Sequence, residues 1–138
     1  MIAYLDTSAV VKLLIDEPGS DAAERLWLAA DTRVCVTVGQ VEATAALGRA
    51  RRTGRLSAVG VRRGVEQLAH LWESVAQLVV DDALASAACR VALAHELRGD
   101  DAVHLAAAIA SADTFVAADR RLLAAAQAAG LAVADVAA

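Results

Sequence analysis

The chain reads as an α/β fold whose parallel sheet is covered on both faces by helices. Two observations predict it. Short apolar or β-branched runs, such as IAYL at Ile2–Leu5 and TFVA at Thr114–Ala117, alternate with longer segments of helical pattern. That alternation is what crossover connections between parallel strands produce. Composition agrees: 58% of residues are hydrophobic, mostly Ala, Val and Leu, and only 3% are aromatic. Such a mixture favours helices joined to short strands. The 138 residues suffice for one domain, 1–138, with one core.

The elements follow in order. Ile2–Leu5 is a short buried strand, and Val10–Ile15 a short helix that Asp16-Glu17-Pro18-Gly19 ends. Thr7 or Ser8 can cap that helix, and Asp6 itself has an ordinary reading as a turn or capping residue. Ser20 can cap a second helix, Asp21–Ala30. Arg33–Thr37, RVCVT, is a second strand. A helix runs from Val38 to Arg52 and stops at Thr53-Gly54; another runs from Ser57 to Ser74, with Val61, Val65, Leu68 and Trp72 on its apolar side. Ala76–Val80 is a third strand. Asp81-Asp82 opens the helix Ala83–Glu96, Arg98-Gly99 breaks it, and Ala102–Ala110 is a further helix. Thr114–Ala117 is the fourth strand. The helix Arg120–Ala129 closes on Gly130, a C-terminal cap, before a last strand at Leu131–Val136.

Composition also excludes. No apolar run reaches the length of a membrane span, and no basic segment precedes an apolar core at the N-terminus, so a cytoplasmic protein is expected. Cys35 and Cys89 stand alone in apolar segments, where buried free thiols are expected and no zinc site is. The formal net charge of −4 does not advertise nucleic-acid binding. Between Glu42 and Glu66, however, there is no acid, while Arg49, Arg51, Arg52, Arg55, Arg62 and Arg63 fall there. Such a cluster follows a phosphate backbone or is a solvated surface.

Four acids stand out by position: Asp6 after the first strand, Glu42 in the helix after the second, Asp101 at a helix start, and Asp119 after the fourth strand. A parallel sheet sends all the strand ends that carry these connections to one edge, where open α/β sheets place ligands. Clustered carboxylates raise one another's pKa unless a cation compensates. Mg²⁺ or Mn²⁺ suits an oxygen-only site and supports hydrolysis of phosphodiesters. Acids at helix starts are also expected from the helix dipole alone. His104, three residues after Asp101 on an apolar helix face, reads as a packed or hydrogen-bonded residue. Trp27 and Trp72 read as core or interface anchors.

Four segments carry a family resemblance: IAYLDTSAVVKLL at the start, VEATAAL around Glu42, LRGDDAVHLAAA around Asp101, and FVAADRRLLAAAQAAGLAV near the end. In order and spacing they resemble PIN-domain ribonucleases, and among those the VapC toxins of bacterial toxin–antitoxin pairs. The resemblance implies a three-layer α/β/α sandwich and a Mg²⁺- or Mn²⁺-dependent endoribonuclease. It also implies a homodimer and inhibition by a VapB-type antitoxin. Carried over, Asp6, Glu42, Asp101 and Asp119 are the metal-site acids, and Ser8 is the hydroxyl supporting Asp6. Arg49, Arg51, Arg52 and Arg55 are candidate RNA contacts. The family often has Thr where this chain has Ala117. Asp100 is expected to be a helix cap beside Asp101, and Asp81 and Asp82 capping residues. The antitoxin is expected in an apolar groove between Val10–Leu14 and Ala22–Leu28.

Rival chemistries fit less well. Haloacid-dehalogenase-like enzymes want a second acid two residues after the first, where this chain has Ser8. Receiver domains want a late lysine, and none follows Lys12. A catalytically silent module that acts by binding partners is the remaining alternative.

Overall fold

A computed structural model describes all residues, 1–138. Five strands form one wholly parallel sheet: β1 (Ile2–Leu5), β2 (Thr32–Val36), β3 (Val75–Leu78), β4 (Thr114–Ala117) and β5 (Ala132–Asp135). Their spatial order is β3-β2-β1-β4-β5. Seven helices connect them: α1 (Thr7–Lys12), α2 (Ser20–Ala29), α3 (Val38–Arg52), α4 (Ala58–Trp72), α5 (Asp82–His95), α6 (Gly99–Ser111) and α7 (Arg120–Ala128). Right-handed crossovers put α1–α4 on one face and α5–α7 on the other, because the chain reverses its direction of travel across the sheet after β3. The result is the three-layer α/β/α sandwich.

The central strands explain themselves. β1 and β4 lie between both helical layers, so their runs are apolar on both sides rather than alternating. Tyr4 and Phe115 are register partners whose rings stack at 5.7 Å between centroids. Leu5, Val36, Leu105, Val116 and Leu122 fill the core around them. The reversal of strand order falls at β1, so a crevice opens between the C-terminal ends of β1 and β4. Asp6 N–H donates to the Val116 carbonyl at 3.0 Å and holds those two ends together.

The element order agrees with the reading of the sequence, and the boundaries differ for local reasons. β3 stops at Leu78 because β2 offers no partner beyond Val36, which leaves Val79 and Val80 exposed. Helix α1 begins at Thr7, capped by Asp6 rather than by Thr7 or Ser8. Gly19, with φ of +91°, caps α2 in place of Ser20, whose hydroxyl instead donates to the Ile15 carbonyl. Helix α6 begins at Gly99, so Asp100 is not its cap; Arg98 holds that position, and Asp100 pairs with the Arg98 side chain. Asp81 and Asp119 do cap their helices. Gly130, with φ of +97°, follows α7 in the left-handed conformation its role requires. Cys35 is buried, but Cys89 is exposed on the outer side of α5, contrary to expectation.

Helix α3 lies close upon β2 because Gly39 has no side chain. A Cβ there would stand 2.5 Å from the Cys35 sulfur and 3.2 Å from the Trp72 ring. Gly39→Ala should therefore destabilise the fold. The overpacking costs about 1–3 kcal/mol and outweighs the roughly 1 kcal/mol that Ala gains over Gly in a helix. Urea unfolding reads the difference; an unchanged midpoint would mean that α3 moves freely on the sheet.

Candidate active site

Three of the four candidate acids sit at helix starts over the crevice. Asp6 is 6% exposed, and its Oδ2 accepts from the Ser8 amide at 3.1 Å and the Ser8 hydroxyl at 2.5 Å. The Ser8 oxygen in turn accepts from the Ala118 amide at 3.0 Å, so Ser8 ties the turn after β1 to the exit of β4. Asp119 accepts at Oδ1 from the amides of Arg121 and Leu122, at 3.0 and 3.1 Å. Asp101, in the first turn of α6, has no hydrogen-bond partner in the protein. Burial, and then the charges of Asp100, Asp6 and Asp119, push its carboxyl above the usual range against the pull of Arg98.

Glu42 reaches the crevice from α3, on the opposite layer. Its Oε1 accepts from the Thr7 hydroxyl at 3.1 Å and from His104 Nε2 at 2.6 Å. The His104 bond, offset in part by burial, holds its carboxyl below the usual range. His104 is 2% exposed and lies 3.9 Å from Asp6 through Nδ1, while Tyr4 Oη stands 2.8 Å from the same nitrogen. Burial works against the imidazolium, but the Cys35 and Glu42 side chains and the Asp6 charge outweigh it and push His104 up to about 10. The structure thus brings Asp6, Asp101 and Asp119 into mutual repulsion, and joins Glu42 to Asp6 through His104.

The capping and the chemical readings of these acids are compatible. Asp6, Glu42 and Asp119 each use one carboxylate oxygen in hydrogen bonds within the fold and leave the other without one. No three His, Cys, Asp or Glu side chains close around a point as a ready-made metal cage. The donors are nevertheless all oxygen, mutually repelling and partly free. Hard divalent ions take such donors, Mg²⁺ through one or two carboxylates with water supplying the rest.

Two cations border the acids and were not singled out in the sequence. A cleft of about 130 Å³ is lined by Asp101 and Asp119 together with Arg98 and Arg121. Arg121 donates to the carbonyl of Glu96 at 2.7 Å, and Glu96 is the one non-glycine residue with a left-handed φ, +53°. Arg98 pairs with Asp100 at 3.3 Å. Neither pairs with Asp101 or Asp119. The signal was adjacency: each arginine lies within three residues of an acid already chosen.

The arginines chosen from the sequence lie elsewhere. Arg49, Arg51 and Arg52 are exposed in the last turn of α3 and form no ion pair. Ten residues separate Glu42 from Arg52, about 15 Å of helix. Arg55 differs: its guanidinium pairs with Glu17 at 2.5 Å, and Glu17 also meets the buried Lys12 at 3.3 Å.

The PIN-domain family model matches residues 3–128. This chain belongs to the PIN-domain family. It is 36% identical over 136 residues to Ribonuclease VapC45 of Mycobacterium tuberculosis, covering 96% of this chain and 94% of the relative. That likeness places it among the VapC members. Solved structures share the fold. PAE2754 from Pyrobaculum aerophilum superposes with a TM-score of 0.73 at 23% identity, covering 99% of this chain and 85% of that one. VapBC2 from Rickettsia felis, bound to a DNA fragment from its promoter, superposes with a TM-score of 0.68 at 13% identity over 98% of both chains.

The His104 contacts give this PIN domain a pH signature. A group held above its ordinary value stabilises the fold fully below that value, 6.5, and the stabilisation is lost as pH rises through about 10. Urea midpoints of the native chain should fall over that window relative to those of His104→Gln. Parallel profiles for the two proteins would refute it.

Proposed function

We propose that this VapC protein is a metal-dependent endoribonuclease that hydrolyses RNA phosphodiester bonds. The observation that carries the reading is the convergence of Asp6, Asp101 and Asp119 at one sheet edge, with Asp101 pushed up by burial and then by the charges of Asp100, Asp6 and Asp119. The name of the VapC45 relative supports RNA as substrate. Asp6, Glu42, Asp101 and Asp119 would hold Mg²⁺ or Mn²⁺. Bound there, the ion lowers the pKa of a water and screens charge at the scissile phosphate. The protein's own part is positional. Ser8 and the helix starts fix one oxygen of Asp6 and Asp119. Arg98 and Arg121 stand where a phosphate beside the acids would meet guanidinium groups, which suit its geometry. Arg49, Arg51 and Arg52 would follow the strand further along α3, while Glu17 already engages Arg55.

A VapB-type antitoxin is the proposed partner, supported by the name of the VapBC2 neighbour. A groove of about 480 Å³ between α1, α2 and α4 is the place for it. Its lining is less apolar than the sequence suggested: Leu13, Leu14 and Trp27 stand beside Asp16, Asp21 and Glu24. A partner helix with apolar and basic faces fits such a lining. No helix is long and apolar enough to cross a membrane; the cytoplasm and a homodimeric state complete the proposal.

RNA cleavage with and without Mg²⁺ tests the reading. Asp6→Asn and Asp101→Asn should each lose about 100-fold or more in activity, and Mn²⁺ titration should weaken with them. Arg121→Ala should lose cleavage while keeping Mn²⁺ affinity. Undiminished cleavage by either Asn variant would overturn the assignment. Absence of carboxylate-dependent Mn²⁺ binding in the native chain would favour the silent, partner-binding module.

A further inference from the structure

Buried under the crevice is a chain of polar groups that the reaction as described does not use. The Val36 amide donates to Tyr4 Oη at 3.3 Å. Tyr4 Oη stands 2.8 Å from His104 Nδ1, and His104 Nε2 stands 2.6 Å from Glu42 Oε1. The Thr7 hydroxyl donates to that same oxygen at 3.1 Å. Tyr4 and His104 are almost wholly buried, at 0% and 2% exposure. The series begins on β2, passes through β1 and α6, and ends on the side chain that α3 extends from the other helical layer.

We propose that His104, together with Thr7, is a positioning residue that fixes the Glu42 carboxylate for the metal site. Three points support it. A glutamate has three side-chain torsions, and Glu42 is half-buried at a helix surface, so its carboxylate stays in one place only if something holds it. Both donors converge on Oε1, and Oε2 is left without a protein partner for an ion or its water. The donor is itself held: Tyr4 Oη meets the imidazole at Nδ1, and Nε2 carries the hydrogen of the Glu42 bond because an ionised carboxylate can only accept. Outer groups that orient metal ligands in this way are commonly worth 10- to 100-fold in metal affinity or activity. Of the other histidines, His70 is exposed and His95 half-buried, and neither has such contacts.

The inference rests on the nuclease reading and is tested apart from it by a double-mutant cycle on the full chain. His104→Leu, Glu42→Ala and the pair are read for Mn²⁺ affinity by calorimetry, for RNA cleavage, and for melting temperature. If His104 acts through Glu42, His104→Leu weakens Mn²⁺ binding by about 10- to 100-fold, and adds nothing once Glu42 is Ala. His104→Gln, which keeps an amide donor, recovers part of the loss. Equal losses in both backgrounds would mark a purely structural histidine and overturn the proposal, as would no loss at all. Should His104→Leu not fold, Thr7→Val takes its place in the cycle, since its hydroxyl bonds the same oxygen, with His104→Gln as the second arm. A native chain that binds no Mn²⁺ overturns the nuclease reading and the role of Glu42 with it. A native chain that binds Mn²⁺ through Asp101 but is indifferent to these changes overturns the proposal alone.

Discussion

Like charges must be held together at the crevice between β1 and β4, and everything at this sheet edge serves that constraint. Several carboxylates within reach of one another are costly in a half-buried place. The fold lowers the cost in two ways. Asp6, Asp101 and Asp119 each stand at the start of a helix, where the backbone carries partial positive charge. Asp6 and Asp119 also accept hydrogen bonds from backbone amides. Asp101 has no such partner, and burial together with the charges of Asp100, Asp6 and Asp119 pushes its carboxyl above the usual range.

Much of this was legible in the sequence, because it rests on chain topology. Strand-sized runs separated by helix-sized runs force a parallel sheet, and a parallel sheet sends Asp6 and Asp119 to the same edge. The caps at Asp81 and Gly130 were readable for a different reason, because they are local chemistry, whereas Asp82 was expected to cap as well and lies inside the first turn of α5. Errors came where neighbours in space decide. Nothing in the sequence says that β2 ends at Val36, so β3 seemed longer than it is. The true start of α6 at Gly99 puts Asp100 inside the helix, where it pairs with Arg98 instead of capping.

The site was legible in its acids and illegible in its cations. Asp6 and Asp119 do act on Asp101, but Glu42 is joined to Asp6 through a histidine sixty-two residues away in sequence. His104 was expected to be packed or hydrogen-bonded, and it is both; its partners could not be read, because they come from β1, α1 and α3. The arginine-rich stretch drew attention by density alone, yet one of its members, Arg55, is bound to Glu17. The arginines at the acid cleft, Arg98 and Arg121, are unremarkable in number, and Arg121 is held by the carbonyl of Glu96, which sits in a left-handed turn.

The choice between an acid that caps a helix and an acid that binds an ion proves to be no choice. A carboxylate has two oxygens and about four acceptor sites. One oxygen tied to amides or to Ser8, Thr7 and His104 is what keeps the other in place, as a free carboxylate on a flexible arm would not stay. The local rule that puts Asp before a helix accounts for Asp6 and Asp119, and the metal site we propose would use the oxygen that each leaves without a hydrogen bond. The ordinary cap Asp81 differs from the site acids by position: it follows the edge strand β3, two strands away from the crevice between β1 and β4.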